Sequence, residues 1–419
     1  MGMRGRAGLA IGAVILAGAA GAPPAPKQVV TGPVATYWMS AQTSSGFGAM
    51  GAGGGGRPSL GSIMSGMRGG NVSRGLLLQL GSSQKPAGAP TADHLPPQGL
   101  GAGADLPLVT PVQQAAPPSR EEPGVPQDYQ KPRGRMLIFW GCGEHAKAGQ
   151  PVVIDFAKVA EGQMPPAFAQ MMRGLNITPM QPPSPSRNAT YGEWPNAKGR
   201  TSVPAQGSLV GDHVVRGNYS PEIRFSLAPD QDFMPAFDLT SNARLPSGAM
   251  QLAWQPVRSA QAYGASTMGG DGETVVLWSS SEVQSLMFAL PDYLRPEDIQ
   301  RLLTQRALLA PATTSCAVPK EAVDAAPQAM FNLVAYGPEA NFAFPARPAD
   351  PKVPWNIAWT VKVRYRSATG GMLGMSMPGM AGGDDGPPPR SGQPKPGQAK
   401  PGKPKASDVL KGLGLPFPH

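Results

Sequence analysis

At 419 residues and a net charge of +9, the chain is long enough for two to three domains. Its 54 glycines and 50 prolines, about a quarter of the total, lower that expectation by bringing the composition close to that of low-complexity sequence. The charge is dispersed apart from Lys395, Lys400, Lys403 and Lys405, a cluster without aromatic side chains, so a stacking platform for nucleic acid is unsupported.

Residues 1–22, "MGMRGRAGLAIGAVILAGAAGA", have the parts of a signal peptide. Arg4 and Arg6 form the charged start, 7–16 an apolar stretch, and 17–22 a run of small residues suited to cleavage. The apolar stretch is too short to span a bilayer, so no transmembrane span is expected after cleavage. The expected location is the periplasm, the outer-membrane surface or the exterior. Two cysteines, Cys142 and Cys316, suit that compartment as one disulfide, which would bring the chain before 150 against the chain after 310.

Residues 23–132 are Gly/Pro-rich and read as mostly disordered, since such sequence cannot bury enough surface to offset its ordering entropy. Two places stand out: strand-like residues at 34–39, able to add to the main body, and an apolar island at 76–80, able to dock. His94 falls in this segment. A first β block is expected over 133–240. "RMLIFWGCG" and "PVVIDFAKV" are apolar runs joined by a hairpin-type loop, and Ile223, Phe225 and Leu227 alternate with Glu222, Arg224 and Ser226 as in a half-buried strand.

The second β block, 241–367, carries a family signature. "QLAWQPVRSAQAYGAS" (251–266) places Trp254, Pro256 and Tyr263 where a strand, a Pro-containing corner and a second strand would need them. With "GETVVLWSSS" this resembles the B, C and C′ strands of a fibronectin type III domain. "MFNLVAYGPEANFAFP" (330–345) then resembles its F–G hairpin. The resemblance spans about 245–345 and implies an immunoglobulin-like sandwich, which fixes no activity. One departure is "LRPEDIQRLLTQRALLAP", where Pro296, Glu297 and Asp298 suit a helix start and Ile299, Leu302 and Leu303 form one apolar stripe. In "WNIAWTVKVRYRS" (355–367), Val361, Val363 and Tyr365 face one way and Lys362, Arg364 and Arg366 the other. Exposed cations on a last strand read as protection of a sheet edge. The fold class is therefore mainly β, with two sandwich-like blocks flanked by disordered segments.

The tail, 368–419, begins Met/Gly-rich. Met372, Met375, Met377 and Met380 form M-x-x-M-x-M-x-x-M, which resembles the methionine motifs of exported copper-handling proteins, whose soft thioethers select Cu(I). A Pro/Lys-rich tether follows, semi-rigid and self-repelling. It ends in a short apolar peptide with Val409, Leu410, Leu413 and Leu415 as candidate contacts for a docking partner.

Other chemistry is sparse. "GCGEHA" (141–146) has dinucleotide-type glycines but runs into a new strand instead of a helix. Cys142-x-x-His145, with Asp212 and His213 as remote partners, would be half a metal site. No nucleophile elbow, zincin motif or P-loop is present, so no catalytic residue and no enzyme is expected. The reading is an exported, envelope-associated scaffold or adhesive protein whose partner is an envelope protein or an anionic envelope polymer. Two alternatives stay open: periplasmic copper binding through the methionine motif, and polysaccharide binding or processing. The latter would need an aromatic platform drawn from Trp140, Trp194, Trp278 and Trp355.

Overall fold

The structure, a computed structural model, describes residues 28–46, 72–111, 134–160, 177–196, 202–271, 273–284 and 290–375. The expected leader at 1–22, Met377, Met380 and the terminal Val409, Leu410, Leu413 and Leu415 lie outside these residues. In chain order the strands begin with β1 (Val30–Thr31), β2 (Ala35–Gly46), β3 (Ser73–Ser82), β4 (Ala92–Leu95) and β5 (Leu106–Pro107). Next come β6 (Arg135–Trp140), β7 (Val152–Asp155), the short helix α1 (Phe156–Ala160), β8 (Thr190–Trp194), β9 (Gly211–Gly217) and β10 (Ile223–Leu227). The second half holds β11 (Leu239–Arg244), β12 (Met250–Trp254), β13 (Ala262–Gly270), β14 (Thr274–Ser279), α2 (Pro296–Thr304), β15 (Ser315–Val318) and α3 (Lys320–Ala325). The last strands are β16 (Met330–Phe344), β17 (Trp355–Asn356) and β18 (Trp359–Met372).

A nine-stranded sheet, ordered β7-β6-β14-β13-β16-β18-β2-β3-β8, organises the molecule. Two smaller sheets, β10-β9-β4-β5 and β11-β12-β15, pack on one of its faces. Period-two alternation sets what each face carries. On β18, Val361, Val363 and Tyr365 point into the core shared with the small sheets; Tyr37 and Met39 of β2 and Leu76, Leu78 and Leu80 of β3 do the same. The opposite face is covered at its centre by α2, whose buried Ile299 and Leu302 pack with Ala262 and Tyr336. This helix begins at Pro296 and follows the expected apolar stripe.

The mainly β class is thus observed, and several expectations need correction. Residues 23–132 do not stay out of the fold as a whole, because 28–46 and 72–111 supply β1 to β5. They gain order from strands built elsewhere: β2 pairs in parallel with β18 along its whole length and antiparallel with β3. The same insertion corrects the reading of β18 as an edge, since β18 lies between β16 and β2. The cations on its outer face therefore do not guard an open edge.

The stretch 330–345 is also not a hairpin. It is the continuous strand β16, with a bulge between Tyr336 and Glu339. Gly337 fits there because a Cβ would come within 2.8 Å of the Tyr365 carbonyl oxygen. Its hairpin-like "YGPE" chemistry is used to bend a strand instead of to reverse it.

Strands from both expected β blocks interleave across 240/241. β6 pairs in parallel with β14. β8, from the first block, lies at the far end of the same sheet. Cys142, just after β6, is disulfide-bonded to Cys316 of β15 at a sequence separation of 174, as expected from the sequence. The bond ties the large sheet to the three-stranded one.

Candidate functional site

The outer face of β18 meets β2 and the segment at 290–295 in a cleft of about 500 Å3. Its floor carries Ser40 and Gln42 of β2 and Arg364 of β18; its walls include Leu77, Tyr293, Pro179, Pro182, Pro195 and Pro291. Strand alternation puts Lys362, Arg364 and Arg366 in one outward row, and the parallel register sets Trp38 beside Lys362 and Ser40 beside Arg364. The Arg364 guanidinium lies 5.0 Å from the Trp38 ring centroid and 4.3 Å from that of Tyr293, so it is held between two π faces.

The neighbouring charges are arranged unequally. Lys362 pairs with Glu339, and Arg366 with Asp292. Arg364 donates from Nε to Ser40 Oγ at 2.8 Å and, among the described residues, pairs with no carboxylate. Three cations thus face two carboxylates. Burial pushes the Arg364 pKa down from its ordinary value, opposed at physiological pH by the nearby Glu339 and Asp292 carboxylates, while the Tyr293 phenol is pushed up to about 12 by burial. Arg364 remains a cation and Tyr293 a neutral hydroxyl at physiological pH. A partly desolvated guanidinium whose nearest carboxylates, Glu339 and Asp292, are paired with Lys362 and Arg366 gains from an incoming anion, and its planar fork matches a carboxylate in two parallel hydrogen bonds.

A second polar cluster sits between the sheets. Tyr37 Oη and His94 Nδ1 are 2.7 Å apart, His94 Nε2 and His213 Nδ1 3.1 Å, and His213 Nε2 and the Leu209 carbonyl oxygen 2.7 Å. Both imidazoles are fully buried. With both neutral, one direction satisfies every atom. His213 Nε2–H donates to Leu209, His94 Nε2–H donates to His213, and the Tyr37 hydroxyl donates to His94. Burial, with neighbouring His213, holds the His94 pKa well below its usual value, and burial lowers that of His213. The cluster faces no cleft and joins β2, β4 and β9 as a buried cross-link. His94 was hidden in the sequence because its surroundings carry no apolar periodicity.

The expected site residues fall in separate places. Cys142 is consumed in the disulfide, so Cys142-x-x-His145 is not a half-site. His145 is exposed beside Glu321, Nδ1 to Oε1 3.1 Å, whereas His213 sits with His94. Among the described residues no three His, Cys, Asp or Glu side chains gather as a metal site. Met372 ends β18, and the exposed Met375 follows on a turn whose carbonyls accept from Asn242 Nδ2. Of the four tryptophans considered for a platform, Trp194 and Trp278 are buried, while Trp140 and Trp355 are half-buried on β6 and β17. They form no platform. The aromatic groups that do gather, Trp38 and Tyr293, were not legible, because residues 255 positions apart carry no local pattern. Comparison with protein-family models, curated proteins and solved structures finds no match for this chain.

Proposed function

We propose that the chain is an exported, envelope-associated binding protein, and that the cleft at Arg364 holds a carboxylate-bearing polysaccharide. The observation that carries this reading is the Arg364 guanidinium. It is sandwiched by Trp38 and Tyr293 in an open cleft and lacks a carboxylate partner among the described residues. Ser40, buried and accepting from Arg364, holds the guanidinium in place; Gln42 offers a side-chain amide to sugar hydroxyls, and the proline walls offer rigid apolar surface to ring C–H groups. The role is binding without turnover.

Export is supported by the leader signature at 1–22 and by the Cys142–Cys316 bond, which suits an oxidising compartment. No helix among the described residues is long and apolar enough to cross a membrane. The strand orders β11-β12-β15 and β14-β13-β16-β18 support a fibronectin type III-like reading of 239–372, taking the places A-B-E and C′-C-F-G. Trp254 and Tyr263 support it as well, lying edge to face at 5.5 Å with the Val257 amide donating to Tyr263 Oη.

Calorimetric titration of the full chain with oligogalacturonate, and with a neutral oligosaccharide of equal length, tests the proposal. The acidic ligand is expected to bind in the micromolar to millimolar range and the neutral one at least tenfold more weakly, a difference of about 1.4 kcal/mol. Arg364→Met is expected to erase the difference. Equal affinity for both ligands, or an Arg364→Met protein that still prefers the acid, would overturn it.

A further inference from the structure

The methionine motif at 372–380 runs along the chain, but Met372 also has methionine neighbours across the sheet. In the sheet register Met372 of β18 is directly opposite Met330 of β16, and Met330 is directly opposite Met268 of β13. Directly paired residues share a face, so the three side chains form one row across three adjacent strands. Sequence positions 268, 330 and 372 show no spacing that would reveal this.

The row lies on the outer face, beyond the part of β13 and β16 that α2 covers, and separate from the Arg364 cleft. Met330, its centre, is 54% exposed, while Met268 and Met372 are half-buried. On one flank Met268 is opposite the buried Leu277 and packs against the apolar cluster of Met136, Ile138 and Leu277. On the other flank the β18–β2 pairing ends at Gly370 and Gly46, before Met372. A gap-filling role does not explain Met330, since a side chain this exposed fills no gap. Strand propensity does not explain it either, since solvent-facing strand positions favour β-branched and aromatic residues.

What the row supplies is three thioether sulfurs on flexible arms. Adjacent strands are about 4.8 Å apart, so the outer two arms can lean over the central one and bring the sulfurs around one ion. Thioether-only donors, beside an apolar flank and the small polar residues Ser266 and Asn332, suit a soft monovalent ion and not a zinc or calcium ion. We infer that Met268, Met330 and Met372 form a surface site for Cu(I), with Met330 as its central ligand. Only Met372 is shared with the motif read along the chain. The site binds an ion delivered already reduced, and no electron transfer is involved.

The test is anaerobic competition for Cu(I) between the full-length protein and a colorimetric Cu(I) chelator. It uses the wild type, the row variant M268L/M330L/M372L, the single variant M330L and the tail variant M375L/M377L/M380L. Leucine keeps the volume and removes the sulfur, and unfolding midpoints confirm that each variant is folded. If the triple variant fails that check, M330L alone decides. The expected result is one Cu(I) withdrawn by the wild type and by the tail variant, with at least tenfold weaker competition by the row variant and by M330L. Three results would overturn the inference: no Cu(I) taken by the wild type, unchanged competition by the row variants, or an equal loss in the row and tail variants.

Discussion

His94 and His213 carry the clearest pH signature of any residues in the fold. Both are buried and neutral, and burial lowers both pKa values from 6.5. The unfolded chain takes up protons below about pH 6.5 that the folded chain refuses, so their contribution is complete above that pH and is lost as pH falls. Two such groups give a slope of up to about 2.7 kcal/mol per pH unit. Urea-unfolding midpoints measured from pH 8 to pH 5 are expected to drop below 6.5, and H94Q/H213Q is expected to flatten that drop while lowering stability throughout. Arg364 behaves oppositely. Its removal breaks no contact ion pair but loses the Ser40 hydrogen bond and two cation–π contacts, so Arg364→Met is expected to lower stability by about 1–2 kcal/mol by thermal unfolding and to stay folded. A binding loss in that variant would then not be a folding loss. None of the three residues was legible in its role. The alternation of Arg364 with Val363 and Tyr365 was plain, but its meaning depended on β2.

At the scale of elements, the legible strands were those whose own residues alternate sharply, and β10 matches its pattern residue for residue. Misreadings arose where a partner strand changed the meaning of a pattern. β2 is "ATYWMSAQTSSG", whose small polar residues look like linker until β18 and β3 pair with it on both sides. Once it is inserted, β18 becomes an interior strand and its Arg364 lines a cleft. The island at 76–80 shows the same dependence, with Leu78 fully buried and Leu77 on the outer face. Leu78→Ala is expected to cost about 2–5 kcal/mol and Leu77→Ala at most about 1 kcal/mol, read from denaturant midpoints. Equal costs would mean that β3 does not pack in this register.

Across the whole molecule, the disulfide was readable because two cysteines in a chain whose first residues read as a leader leave one pairing, whereas the interleaving of strands was not. Long-range pairing such as β6 with β14 leaves no local trace. Closing 174 residues of sequence separation, the Cys142–Cys316 bond is expected to contribute about 2–5 kcal/mol, so C142S/C316S should unfold at lower denaturant than the oxidised wild type. The proposed anion-binding cleft lies over β2, β18 and 290–295. Its most direct test is amide hydrogen exchange of the full chain with and without oligogalacturonate. Binding at the cleft should slow exchange at 38–42, 290–295 and 362–366 in the wild type and not in Arg364→Met. Protection confined to other segments, or equal protection in both proteins, would contradict it.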